Sequence, residues 1–242
     1  MNRIFLTAEW RHLAMLNYAV DPGVLRPFVP AGTELDTFAG VTYASVVGFR
    51  FLATRVFGIG FPFHRDFEEV NLRFYVRRKT GAEWRRGVVF IRELVPRLAI
   101  AIIARAIYGE PYRAVRMRHK IDVSDSQIRT EYAWRRSGAW EKLSVAGTGM
   151  PKDIQSGSEE EFITEHYWGY TDRRGRCGEY EVQHPRWRVW RAVESRLEAD
   201  ISTLYGTAFA EYLTASPVSA FIAEGSAVKV LYHSIPREAG PR

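Results

Sequence analysis

With one cysteine in 242 residues, the chain can form no intramolecular disulfide and no thiolate metal cluster, and Cys177 alone fits a reducing cytoplasm. Lysine is also scarce. Lys79, Lys120, Lys142, Lys152 and Lys229 are the only five among 34 basic residues, and no two are neighbours. The longest apolar run, Leu98 to Ala104, is too short to span a bilayer. No charged start followed by an apolar run and a small-residue cleavage site is present, so Met1 is expected to begin the working protein and no membrane partner is expected. The six histidines fall singly, without His-Glu-x-x-His or paired spacing, so no metal site is expected. Gly-x-Ser-x-Gly, P-loop and dinucleotide fingerprints are missing too. That disfavours an acyl hydrolase, a nucleotide enzyme and a Rossmann oxidoreductase, and it implies no cofactor.

What is there is apolar and aromatic: 46% hydrophobic residues and 14% aromatic, enough for a packed core. The net charge of +6 invites a nucleic-acid partner. The arginines, however, sit at turns (Arg77-Arg78, Arg85-Arg86, Arg135-Arg136) or alternate along strands instead of forming one helix face, so no nucleic-acid partner is expected. Without a linker, repeat or low-complexity tract, residues 1–242 read as one domain, a monomer or small homo-oligomer.

Strands are expected at 13–20, 41–55, 67–78, 86–94, 112–123, 127–136, 139–147, 166–172, 178–183, 187–198, 218–223 and 227–233. Helices are expected after the Asp21 cap with Pro22 at the first helical position, from Pro96 to Tyr108, after Ser158 with Glu159, Glu160 and Glu161 in the first turn, and from Asp200 to about Leu213. Arg105, in the second of these, is expected to pair with Glu110 or Glu69, because an unpaired buried guanidinium is costly. Many antiparallel strands with four interrupting helices give an α+β class, a large sheet curled into a barrel.

The most informative strand runs from Phe67 to Arg78. Val70, Leu72, Phe74 and Val76 take one face, and Glu69, Asn71, Arg73 and Tyr75 take the other. A carboxylate, an amide, a guanidinium and a phenol about 7 Å apart either line a lumen or face water. Arg92 and Glu93 point to opposite faces of the next strand, so one of them reaches the same side.

Five segments resemble the YqjF-like family, domain of unknown function 2071: Asn17-Tyr18-Ala19-Val20-Asp21-Pro22, Val29 to Asp36, Glu69 to Val76, Gly87-Val88-Val89-Phe90, and His184-Pro185-Arg186-Trp187. The resemblance runs from about residue 8 to 234 and groups the chain with acetoacetate decarboxylase. It implies a curled antiparallel barrel with flanking helices, whose lumen in the decarboxylase holds a Schiff-base lysine. Counting back from Asp21 places Arg11 at the decarboxylase's substrate-carboxylate arginine. After Arg92-Glu93-Leu94-Val95-Pro96 the lysine position falls on Arg97 or, with a later gap, on Tyr112, and neither is a lysine. The acidic positions fall near Val56 and near Ala44 or Ser45, so imine-forming decarboxylation is not expected.

Two functions stay open. In one, a lumen binds or turns over a small carboxylate or keto compound, with Arg11 and Arg73 as anion clamps, Glu69 or Glu93 for acid-base work, Tyr112 as donor, and Asn71, Tyr75 and His184 as further contacts. In the other, the same polar groups form a satisfied buried network in a non-catalytic module, with His184 packed under Trp187.

Overall fold

The computed structural model describes residues 3–98, 111–173 and 175–232. The helix expected over Pro96 to Tyr108 lies almost wholly outside the described residues, and so does the pairing expected for Arg105.

Seven strands pair into a curled ring: β1 (Arg3–Ala19), β3 (Tyr43–Val56), β4 (Phe67–Thr80), β5 (Glu83–Val95), β11 (Trp168–Asp172), β12 (Cys177–Gln183) and β14 (Ser219–Tyr232), with β14 returning to β1. The neighbours are antiparallel except at β5–β11, where Gly87 and Val88 face Trp168 and Gly169 in a short parallel match. A Cβ on Gly87 would come within 2.6 Å of the Trp168 carbonyl oxygen, so this closure requires glycine. Three-residue β6 (Tyr112–Ala114) also runs parallel to β5, while two-residue β2 (Glu34–Leu35) pairs with β4 and two-residue β10 (Lys152–Asp153) with β13 (Arg188–Glu198).

The second leaf, β13, β9 (Ala139–Thr148), β8 (Gln127–Arg136) and β7 (Met117–Val123), leaves the ring at β14 and folds back over it. Its Ile128, Tyr132, Leu143 and Val145 pack on Val70, Leu72, Phe74 and Val76, the apolar face read from the alternation of β4. Helices α3 (Ile201–Tyr205) and α4 (Thr207–Leu213) join the same core. They stand where the sequence suggests one helix, because Gly206 at φ 105° breaks the run. Asp200 caps α3 as expected, accepting from the Thr203 amide. Early in the chain, Asp21 accepts from the Gly23 amide and starts α1 (Pro22–Leu25), which tightens into a 3-10 turn at Arg26–Phe28.

A second core fills the ring. Leu13, Met15, Val47, Phe49 and Phe221 meet Phe162 and Ile163 of α2 (Glu159–Thr164), so this short helix enters the interior instead of lying on the surface.

Where β1 crosses β14, both strands carry a left-handed residue: His12 at φ 55° and Gly225 at φ 81°. Alternation fails there, and Trp10 and Leu13, three residues apart, both face inward. The strands expected at 218–223 and 227–233 are therefore one strand that bends at Gly225. β14 pairs with β13 before the bend and with β12 after it.

Candidate functional site

Inside the ring lies a cavity of about 90 Å³, and strand β4 supplies its polar wall. Glu69, Asn71 and Arg73 are 2%, 1% and 9% exposed, so the polar face of β4 is an interior face and not a solvated one. Cross-strand register carries the wall onward: Asn71 pairs with Glu93, and Glu93 with Tyr112, and both of these line the same cavity. A register shift beside Arg73 makes Phe90 and Glu93 share the inner face. Of the neighbours Arg92 and Glu93, then, Glu93 is the one that reaches it. Apolar Trp10, Phe49, Phe51 and Val230 complete much of the wall.

Two donors on described residues hold Glu69. The Asn71 amide nitrogen gives to Oε1 at 2.9 Å and the Tyr112 hydroxyl to Oε2 at 3.2 Å. This fixes the Asn71 amide, since a flip would set two oxygens against each other. Among the described residues its buried Oδ1 has no hydrogen-bond partner.

Arg73 is the anomaly of the site. Among the described residues its Nη2 makes two long contacts, 3.4 Å to the Ile163 carbonyl and 4.0 Å to the Met15 sulfur, and its Nε has no hydrogen-bond partner. Among the described residues no carboxylate forms an ion pair with it. A buried guanidinium without a counter-charge is expensive, and it sits on the wall of a cavity.

Two histidines join the site. His184 stacks on Trp187 at 4.1 Å and 15° and gives its Nδ1 hydrogen to the Pro185 carbonyl at 2.9 Å; burial lowers its pKa, so the ring is neutral with Nε2 as acceptor. Both descriptions of this histidine hold at once, packed under Trp187 and lining the cavity. His166 was not anticipated. The segment after α2 carries it inward against Tyr75, ring centres 4.7 Å apart, with Nε2 3.4 Å from Asp36 Oδ2, long for a hydrogen bond. Burial pulls its pKa down to about 4. Burial opposes charge on Asp36 as well, but the His166 contact and the Arg86 guanidinium at 2.7 Å outweigh it and hold the carboxyl at about 2.

Tyr75 and Arg11 do not join the cavity wall. Tyr75 is 1% exposed and belongs to a closed chain of hydrogen bonds. Ser45 has one hydrogen and gives it to Asn17 Oδ1 at 2.6 Å, so the Tyr75 hydroxyl donates to Ser45 at 2.7 Å. Asn17 Nδ2 then donates to Ser219 at 3.0 Å, and Ser219 to Glu159 at the start of α2. Arg11 corrects the expectation of a second anion clamp. It is a third exposed, pairs with Glu9 at 2.9 Å and donates to the Gly225 carbonyl. The break in alternation at His12 is the reason: Leu13 faces in without bringing Arg11 with it.

Among the described residues no lysine lines the cavity. Lys79, Lys120, Lys152 and Lys229 are exposed, and Lys142 pairs with Glu131 and Glu198. Of the two candidates for the decarboxylase lysine position, Tyr112 faces the cavity and Arg97 is exposed. No group of three or more potential metal ligands occurs among the described residues, and no helix there is long and apolar enough to cross a membrane.

This curled, largely antiparallel sheet has the fold of acetoacetate decarboxylase-like proteins. An acetoacetate decarboxylase-like enzyme from Sphingomonas wittichii RW1 superposes with a TM-score of 0.65 at 15% identity, over 98% of this chain and 94% of that one. The enduracididine biosynthesis enzyme MppR, in complex with pyruvate, superposes with a TM-score of 0.62 at 13% identity, over 97% and 90%. Within this fold the chain belongs to the DUF2071 family of uncharacterized conserved proteins, which residues 7–227 match. The uncharacterized protein YqjF of Bacillus subtilis (strain 168) is 29% identical over 199 residues, covering 80% of this chain and 76% of that protein.

Proposed function

We propose that the cavity binds a small carboxylate of the keto-acid class through Arg73, without forming an imine. The observation that carries this reading is the buried guanidinium of Arg73, which faces the cavity and has no carboxylate of its own among the described residues. A ligand carboxylate would supply that counter-charge, with charge-assisted hydrogen bonds worth about 1.5–3 kcal/mol each. Size limits the class: an apolar cavity of about 150 Å³ accommodates benzene, so about 90 Å³ restricts the site to a small ligand. The fold neighbour MppR was solved with pyruvate, a small keto acid.

Acid-base work falls to Glu69, in hydrogen-bond contact with Tyr112, and to Glu93 beside them. Tyr112 takes the place of the decarboxylase lysine in this reading, and a phenol, whose one hydrogen goes to Glu69, cannot condense with a carbonyl. Acetoacetate with borohydride should leave the mass of the protein unchanged. An adduct mapped to Lys142 or Lys229 would restore imine chemistry. The non-catalytic alternative is favoured at one place only, the satisfied chain from Tyr75 to Glu159, whose role is to fix α2 in the ring.

Calorimetric titration of wild type and Arg73→Met with pyruvate and acetoacetate tests the proposal. Binding by wild type with a loss of tenfold or more in the variant is the expected result. Equal affinities in the two proteins, or no binding to either, would sink it.

A further inference from the structure

The connection from β3 to β4, residues 57–66, turns bulky apolar side chains to the outside. Phe57 is 51% exposed, Ile59 59%, Phe61 48% and Phe63 86%. Ile4 of β1, exposed as well, adjoins Phe5, whose carbonyl takes the Phe57 amide hydrogen. Exposed apolar residues scattered singly are ordinary, but four on one loop make a patch. Backbone bonds shape the loop. Val56 and Ile59 close a tight turn by exchanging two hydrogen bonds, the His64 amide donates to the Phe61 carbonyl, and the Thr54 amide donates to the Arg65 carbonyl. Two of the phenylalanines stand in the left-handed region, Phe57 at φ 50° and Phe63 at φ 62°. A bulky aromatic is rare there, and glycine or asparagine adopts it more readily. Phe57 keeps an edge-on contact with Phe5, ring centres 5.0 Å apart. Phe63 is nearly bare, so a strained aromatic at that position does not serve the stability of the fold.

We propose that this loop docks on an anionic lipid surface, its apolar side chains entering the boundary between headgroups and acyl chains while Arg55 and Arg65 pair with lipid phosphates. Charge complementarity selects this occupant. The two arginines flank the apolar residues, both are exposed, and neither forms an ion pair among the described residues. The one carboxylate of the loop, Asp66, accepts from the Ala53 amide at 2.8 Å. Apolar side chains rimmed by unpaired basic ones hold a protein at a bilayer interface by burial and by attraction to anionic lipids together. A second copy of the chain fits less well. A two-fold contact between identical loops would set arginine against arginine, and five apolar side chains fall short of the roughly 20–30 residues that each partner gives to a stable interface. The expectation of no membrane partner rests on run length, which bears on a helix that crosses a bilayer and not on a loop that lies on one. None of these residues lines the cavity, and the docking does not depend on what the cavity holds.

Co-sedimentation of the full chain with vesicles is the experiment, using phosphatidylcholine alone and phosphatidylcholine mixed with phosphatidylglycerol. Wild type is expected to bind the anionic vesicles about tenfold or more tightly than the neutral ones, and to be released as salt rises. Phe63→Asn is expected to weaken that binding about tenfold, the loss of one buried aromatic. Asparagine tolerates the left-handed region, so the thermal unfolding of this variant should stay where it is or move upward. Arg55→Gln combined with Arg65→Gln is expected to remove most of the preference for anionic vesicles, about fivefold for each arginine. Equal binding to the two kinds of vesicle, or binding to neither, would overturn the proposal. Anionic-vesicle binding that survives in both variants would overturn it too, by assigning the contact to another basic face. A concentration-dependent dimer that is lost in Phe63→Asn, with no vesicle binding, would give the patch to a second copy and end the lipid assignment. The variants change different side chains, so if one fails to fold the other still decides.

Discussion

Arg73 and His166 are buried ionisable groups, and burial disfavours a charge on each. Arg73→Met removes a buried charge that no carboxylate among the described residues pairs, and nearly keeps the volume, so the ligand-free variant should be more stable than wild type by about 1–3 kcal/mol. Denaturant unfolding measures it, and a destabilised variant would mean that the guanidinium holds the fold together instead of waiting for an anion. His166 acts through pH. Its folded-state pKa of about 4 lies below the ordinary 6.5, so between those values the unfolded chain takes up a proton that the folded chain does not. Stability should therefore fall by roughly 3 kcal/mol as pH drops from 6.5 to 4, with no further loss from this group below 4. Asp36, held at about 2 against an ordinary 3.8, adds a separate loss from pH 3.8 down to 2. His166→Phe should flatten the upper segment of the curve in thermal melts taken across pH and shrink the lower one, because the His166 contact is part of what holds Asp36 low. An unchanged upper slope would show that another group titrates there.

At the scale of elements, the paired bend in β1 and β14 decides which side chains see the cavity. Gly225 is at φ 81°, and a Cβ there would lie 2.0 Å from the Trp10 carbonyl oxygen, backbone that cannot move aside. Gly225→Ala should cost more than about 3 kcal/mol, by strain and collision together. His12, at φ 55° across from it, bears a penalty that glycine does not, so His12→Gly should change stability by less than about 1 kcal/mol or raise it. Chemical denaturation of the two variants checks both, and a well-tolerated Gly225→Ala would show that the bend is soft. The hydrogen-bond chain from Tyr75 through Asn17 to Glu159 is the other device at this scale. It joins β4, β3, β1, β14 and α2 by polar contacts buried within the ring.

At the scale of the whole molecule, the two leaves share one core. Leu72 and Phe74 of the ring and Tyr132 and Leu143 of the second leaf are each fully buried in a single cluster with Leu204 and Phe209 of the helices. Neither leaf can part without exposing the other's apolar face, at about 25 cal/mol per Å². We expect one cooperative unfolding transition for the chain. Superimposable fluorescence and circular-dichroism melts would show it, and two separated transitions, or two stable proteolytic halves divided in the segment 147–158, would refute the single domain.

Much of this was legible in the amino-acid sequence. The period-two pattern from Phe67 to Arg78 assigns Val70, Leu72, Phe74 and Val76 to one face and Glu69, Asn71, Arg73 and Tyr75 to the other, because strand geometry leaves side chains no other arrangement. The capping residues Asp21, Ser158 and Asp200 likewise mark helix starts through bonds made within three residues. What local pattern cannot carry is which face a second layer will cover. That Glu69, Asn71 and Arg73 point into a ring follows from β14 returning to β1, a pairing of residues more than 200 positions apart. Arg11 was misplaced because alternation is broken by backbone conformations at His12 and Gly225 that no side-chain pattern records. His166 was missed because a lone histidine becomes part of a cavity only when the segment after α2 is packed into the ring. The sequence determined the strands, their faces and the chemical groups available; the tertiary structure decided which of those groups meet, since burial and enclosure are properties of the closed ring and not of any segment in it.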